Sequence, residues 1–457
     1  MKFPPARLMV RVHSALVLCS LCVACGGGGS TPDASVDADL DGAVMDSAVA
    51  DASSDAVVDA FMDAGSDASV DAGPVDCVSL LTSGVDLPLA PDRPDTQIHP
   101  MAVYDGFGIW VAFSLPETTG GTGFDTWAAR VLCDGRFLVR PFQVNTTITA
   151  PNDVDPVLAL SADRVLISWN ADTGMASANL QVGYRAFSID GTPAGDDQRL
   201  MFTTDGAPYT ENVLLSAIVA DGAGFRLAGT RGVESTGTFQ AFTQGLDSSL
   251  AVVDSGEEIF LEAAVTQQNT ALAATPGGSF FAAWDRDDGT EAQVVHRSLA
   301  AGAADPAVSA PGSVRTAGPS VAVDAADPIG RIVAVSAGSE TRAQIRLVDV
   351  ARPAVSAQVF GAVGRLNFSP KVALEEGVGA VMWLRNESGF RNTLFIQGLH
   401  YDGVAFSVDA PMELTTSEPV APYAPSLTRI TDDIYFVAWA QGTSPAFRIF
   451  GRFVQVR

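Results

Sequence analysis

Residues 280–284 read Phe280-Phe281-Ala282-Ala283-Trp284, four apolar residues closing on an indole. A run this short cannot sustain a helix, and with no polar alternation it reads as a strand covered on both faces. Equivalent runs are IWVAF ending at Phe113, RVLISW at Trp169, GAVMW at Trp383 and YFVAW at Trp439, with degenerate copies FRLAG ending at Gly229 and RIVAVS ending at Ser336. They recur about every fifty residues. Upstream of each lies a second short strand: HPMAV, DPVLAL, NVLLSAIV, NTALAA, GPSVAV, SPKVAL and APSLTRI. Tight turns such as Asp105-Gly106, Asp221-Gly222 and Gly277-Gly278 join several of these pairs. Downstream comes a third strand, ending in turns such as Cys133-Asp134-Gly135, Asp190-Gly191 and Asp402-Gly403, and then a fourth. Asp-Gly between apolar runs marks a hairpin, because its turn needs positive φ at both central residues.

Four hairpin-linked strands repeated seven times define an all-β fold, a seven-bladed β-propeller over residues 77–457. The last unit stops at Arg457 after its third strand, while the residues before the first unit, GVDLPLAPDRPDTQIHP, match the passage FQVNTTITAPNDVDP between two blades. A strand near Val85–Leu89 is therefore expected to complete blade seven and hide two open edges.

The N-terminus carries an address. Lys2, Arg7 and Arg11 precede an apolar run at 12–24, too short to span a bilayer as a folded helix, so residues 1–24 read as a signal peptide. The Val23-Ala24-Cys25-Gly26 junction resembles the lipobox of bacterial lipoproteins, which implies acylation of Cys25; Cys22 departs from the pattern where Leu is usual. Gly26 instead of Asp implies the outer membrane or cell surface. Cleavage after Ala24 into a freely secreted protein is the other reading. Residues 25–76 form the next segment, and Thr31 to Asp76 holds twelve Asp and no Lys or Arg. Asp51, Asp55, Asp59, Asp63, Asp67 and Asp71 would repel one another at helical spacing, so this stretch reads as a disordered, solvated stalk. Its Asp37, Asp39, Asp41 and Gly42 open like an EF-hand loop, but Ala48 stands where the closing Glu belongs.

With Cys25 acylated, Cys77 and Cys133 are the cysteines left to the exported chain, and an oxidising compartment makes a disulfide between them the expected state. Two cysteines 56 apart and three histidines give no zinc spacing, so no metal and no cofactor are expected. The net charge of -26 argues against nucleic acid as a partner.

The arrangement resembles the uncharacterised propeller-type repeats of bacterial lipoproteins with Asp-rich stalks. This resemblance of architecture covers the chain and brings no activity with it. Tryptophan-aspartate repeats differ by their Gly-His opening, and kelch repeats by their double glycines.

Several residue sets invite a chemical reading. Trp169, Trp284, Trp383 and Trp439 share one place in the repeat and read as packing. Arg130, Arg185, Gln244, His296, Arg346, Gln397 and Arg452, near the start of the third strand, are expected to pair with Asp or with carbonyls. Asp285-Arg286-Asp287-Asp288-Gly289 reads as a solvated turn. Long upper-face loops are expected at Ser114–Thr126 and Asn170–Gln181, with Tyr209 and Tyr423 in equivalent connectors. From these loops Glu117, Phe124, Asp125, Asp172, Tyr209 and Tyr423 are the candidate binding surface. No G-x-S-x-G, H-E-x-x-H, Walker or dinucleotide motif is present. The expected function is a non-enzymatic binding or scaffold lipoprotein, a monomer held to the membrane by its lipid alone, with an envelope protein or a polysaccharide as partner. The alternatives are a sialidase-like glycoside hydrolase, for which Tyr209 beside Glu211 would be the nucleophile and base, and a structural envelope component.

Overall fold

The computed structural model describes residues 85–456 apart from 94, 117–122, 148–151, 173–179, 201–202, 205–206, 209–211, 234–237, 254–256, 259–264, 277, 290–291, 301–305, 312–317, 325–329, 340, 353–356, 389–390, 416–419, 421–424 and 444–445. Cys25, Cys77, Glu117, Tyr209, Glu211 and Tyr423 lie outside the described residues, as does the stalk.

Among the described residues seven antiparallel blades follow one another along the chain; the first six are hydrogen-bonded in sequence order from inner to outer strand, blade six with Met412–Glu413 as an added short strand, and the seventh takes its outer strand from the N-terminal segment. Blade one is typical: Ile98–Tyr104, Gly108–Pro116, Phe124–Leu132 and Phe137–Gln143. Its second strand is buried along all but its last residue, whereas its fourth is half-exposed. That gradient explains why the second strands read as unbroken apolar runs and the outer ones do not.

There is no single core. Apolar side chains form layers between neighbouring blades: Trp110, Ile167 and Trp169 between blades one and two, Trp383 and Leu347 between five and six, Trp439 and Ile396 between six and seven. Trp169, Trp284 and Trp439 are wholly buried and Trp383 is 2% exposed, so the repeated indoles are packing elements. Gly183 pairs with Trp169 across the sheet, and a Cβ there would lie 2.3 Å from the indole ring, which is why this strand has a glycine at its centre.

Ring closure is as expected. Leu87 pairs with Gly451 and Pro88 with Phe450, making the N-terminal segment the outer strand of blade seven beside Ala446–Gln455. Asp86 accepts from Arg452 Nε at 2.7 Å, and Leu89, wholly buried, donates its amide to Ile449.

Two loop expectations are corrected. Ser114 and Thr126 are paired strand residues with no exposure, and the second strand of blade two runs on through Asp172 to pair with Leu180. Polar residues at the strand ends keep the ladder going past the last apolar one. The connections are therefore 117–123 and 173–179.

Candidate functional site

The inner strands begin at the upper rim, close to the axis, and they begin irregularly. His99, Asp155, Asn269 and Ser369 have φ of 54°, 53°, 54° and 50°, and Gly318 has 56°. The first four fall in bulges where pairing jumps, from Ile98 to Met101, Val154 to Val157, Gln268 to Ala271 and Phe368 to Lys371. Left-handed backbone costs about 1–2 kcal/mol in a residue with a Cβ, and proline follows His99, Asp155, Gly318 and Ser369. Such repeated strain persists only where surrounding bonds hold it.

Those bonds run from blade to blade. His99 Nδ1 lies 2.8 Å from Asp155 Oδ1, joining blades one and two. Asp155 also accepts from Asn170, whose amide accepts from Leu215 N at 2.8 Å and donates to Leu215 O at 3.2 Å in blade three. Burial works against the Asp155 charge, but His99 and Asn170 outweigh it and hold the carboxyl below its usual range. Part of the Asp155 side chain faces water, at 41% exposure, whereas His99 Nδ1 on the other side of the contact is buried. Blade four repeats this device with the residue types exchanged: Asn269 Nδ2 donates to Asp285 Oδ2 at 2.8 Å, and Asp285 accepts from the Gly318 amide of blade five. Asp285 is only 5% exposed, and its burial pushes the carboxyl up to about 7 against both hydrogen bonds.

A second set lies two residues earlier, at Gln97, Asp153, Gln267 and Asn367, each 0–1% exposed. Gln97 Oε1 accepts from Ile449 N at 3.0 Å, Gln267 Oε1 from Ala241 N at 3.1 Å, and Asn367 Nδ2 donates to Ala343 O at 2.7 Å. Each thus ties an inner strand to the third strand of the preceding blade. Between blades one and two the tie is made by the connector residue Asn145, whose Oδ1 accepts from Thr126 N at 3.0 Å and whose Nδ2 donates to Asp125 at 2.9 Å and Asp153 at 2.7 Å.

These contacts decide the fate of the expected surface. Asp125, 5% exposed and bonded to Asn145, is an internal brace and not a surface residue. Phe124 is partly buried and pairs with Pro116, while Asp172 is placed as a strand residue opposite Leu180. The other candidates fall outside the described residues. Four of the seven third-strand polar residues are paired as expected: Arg130 with Asp105, Arg185 with the carbonyls of Gly195 and Val144, Gln397 with Asp409 O, and Arg452 with Asp86. His296 lies beside Phe281, and burial, aided by Arg331, lowers it to about 4. Among the described residues no group of three His, Cys, Asp or Glu could hold a metal, and no helix is long and apolar enough to cross a membrane.

The strained ring was missed from sequence, although its signal stood in the opening residues of the inner strands, HP, DP, NT, GP and SP. A dipeptide ending in proline can mark a bulge.

Neither a family model nor a curated protein matches the chain. Solved structures do. An ulvan lyase of a new polysaccharide lyase family, solved bound to a GlcA(1-4)Rha3S glycan, is 12% identical over 81% of this chain and 96% of its own, with a TM-score of 0.52. A protein of unknown function from Dyadobacter fermentans is 10% identical over 81% and 98%, with a TM-score of 0.49. Trypanosoma rangeli sialidase is 11% identical over 80% of this chain and 57% of its own, with a TM-score of 0.39. At 12% identity the likeness to the ulvan lyase is one of fold alone, and the strand order of this chain makes that fold a seven-bladed β-propeller.

Proposed function

We propose that the protein is a non-enzymatic binding or scaffold module, anchored at the outer membrane or cell surface through acylated Cys25. The observation that carries this reading is how the upper-rim groups are used. Asp125, Asp153, Asp285, Gln97, Gln267 and Asn367 are buried and committed to bonds within and between blades, so their chemistry goes into holding the ring. Binding then falls to the connections at 117–123 and 173–179, with a polysaccharide or an envelope protein as partner.

Shortening both connections to Asn-Gly while keeping Ser114, Thr126 and Asp172 is expected to leave the thermal transition within about 0.5 kcal/mol of the parent. Capture of polysaccharide from native envelope, read on a glycan array, should be lost. Capture that survives the double change places binding elsewhere.

A hydrolase or lyase is the second reading, favoured by the partly exposed Asp155 carboxylate beside His99. Turnover of fluorogenic glycosides or uronic-acid polymers that disappears in His99→Ala would replace the binding reading with this one. The anchor has its own test. In Cys25→Ala the protein is expected in the soluble fraction without fatty-acid label, because the lipid is the proposed membrane-binding element. Unchanged membrane fractionation would refute the anchor and leave the binding question untouched.

A further inference from the structure

Lys371 is the single lysine of residues 77–457; the other lysine in the chain is Lys2. It stands on the inner strand of blade six, Asn367–Glu375, directly after left-handed Ser369 and Pro370. There the ladder resumes, with Lys371 opposite Met382 as the first paired residue beyond the bulge. The same register position holds Met101 opposite Ala112, Val157 opposite Ser168, Ala217 opposite Ala228 and Ala271 opposite Ala283. Blades five and seven have Ser320 and Ser426 at the first paired residue of their inner strands. Six blades therefore fill this place with an apolar or hydroxyl side chain, and one fills it with an ammonium.

Where the hydroxyls stand, the direction of the side chain is visible. Ser320 Oγ accepts from the Val372 amide of blade six at 3.2 Å, and Ser426 Oγ from the Ala102 amide of blade one at 2.9 Å. The position sends its side chain toward the inner strand of the next blade. For Lys371 that is the seam between blades six and seven, beside the axis.

Acidic residues outnumber basic ones by 53 to 27, so a carboxylate partner would be easy to supply. None is paired with Lys371 among the described residues, and no carbonyl or hydroxyl is either. Glu375, on the same strand, is committed to Arg429 of blade seven. Lys371 is partly buried, and withdrawal from water holds its proton affinity below the usual lysine range. A charge drawn partly out of water with nothing opposite it is costly, and an anion entering beside it removes that cost.

We propose that Lys371 is the contact for an anionic group of a ligand, a carboxylate or a sulfate ester, at the axial end of the seam between blades six and seven. This does not depend on the upper-face connections binding anything, so either idea can fail alone.

Having one lysine in the propeller makes the test direct. Reductive methylation of the exported protein with 13C-formaldehyde labels Lys371 and, where unblocked, the N-terminal amine; where the signal peptide is retained Lys2 adds a third resonance, identified by its persistence in Lys371→Met. Sodium sulfate and D-glucuronate are titrated at constant ionic strength, with D-glucose as the neutral control. A saturable shift of the Lys371 resonance is expected with an anion and not with glucose, together with a rise in its pKa of about one unit. Calorimetry on unlabelled protein should show at least a tenfold loss of anion affinity in Lys371→Met and retention in Lys371→Arg. Saturation by sulfate alone would assign the site to a free inorganic anion, and saturation by glucuronate to a sugar acid. A resonance that titrates like an exposed lysine and ignores both anions overturns the proposal, as does unchanged affinity in Lys371→Met.

Discussion

Deletion of residues 77–95 is expected to cost about 5 kcal/mol or more of unfolding free energy, and to make the protein self-associate more than the parent does. Leu89 is wholly buried, and loss of a buried leucine alone typically costs about 3–5 kcal/mol. Arg452, 14% exposed, would lose Asp86; Gln97 would lose the Ala90 and Arg93 carbonyls that its Nε2 donates to at 3.0 and 2.7 Å. The strand Ala446–Gln455 would become an open edge, a template for pairing with another chain. Urea unfolding followed by tryptophan fluorescence and size-exclusion chromatography read the two effects. A deletion variant with the parent's elution volume and midpoint would show that the closing strand is dispensable. Leu89→Ala, at about 3 kcal/mol, keeps the test open where the deletion does not fold. The same region supports the proposed Cys77–Cys133 bond. A Cβ on Gly135 would lie 2.9 Å from Leu87 Cδ2, so the closing strand passes against the turn that follows buried Cys133. Such a bridge typically contributes about 2–4 kcal/mol, and two reactive thiols in the folded exported protein would disprove it.

The closure was legible because it follows from counting: six complete units and one lacking a strand, with a matching strand spare at the other end of the repeats. The indoles were legible for a similar reason, since one residue type at one repeat position is a packing solution used again. What stayed hidden depends on polar residues whose partners lie in another blade. Asn145 and Asp153 are eight residues apart and meet directly, but Gln97 meets Ile449, and no local pattern announces that. Positive φ is ordinarily inferred from glycine, whereas here His99, Asp155, Asn269 and Ser369 adopt it. Loop ends were misplaced because Ser114 and Thr126 look like turn residues while the ladder runs through them. Local chemistry therefore predicted the blades, and the joints between blades required the ring.

Replacing Asp285 by Asn is expected to stabilise the protein increasingly as pH rises from about 4 to 7, by at most about 4 kcal/mol at neutral pH. The sign follows from the shift. In the fold the carboxyl is raised to about 7, while in the unfolded chain it ionises near 3.8. Between those values the unfolded state gives up its proton and the folded state keeps it, so stability falls through this window and is level above it. Asn removes the titration and keeps one acceptor for Asn269 or the Gly318 amide. The lost second acceptor leaves the variant no more stable than the parent at pH 4. His296 in the same blade works the other way: lowered from 6.5 to about 4, it favours folding as pH rises through that interval. It does so in parent and variant alike, so the difference between their unfolding free energies isolates Asp285. Below pH 4 both should weaken together, because hydrogen bonds from neighbouring residues hold Asp190, Asp247 and Asp402 below the ordinary range, and their contribution is lost as they protonate. Urea midpoints at pH 4, 5, 6, 7 and 8 give the comparison. A variant-minus-parent difference that does not change with pH would mean that Asp285 is ionised throughout, and that its bonds to Asn269 and Gly318 outweigh its burial.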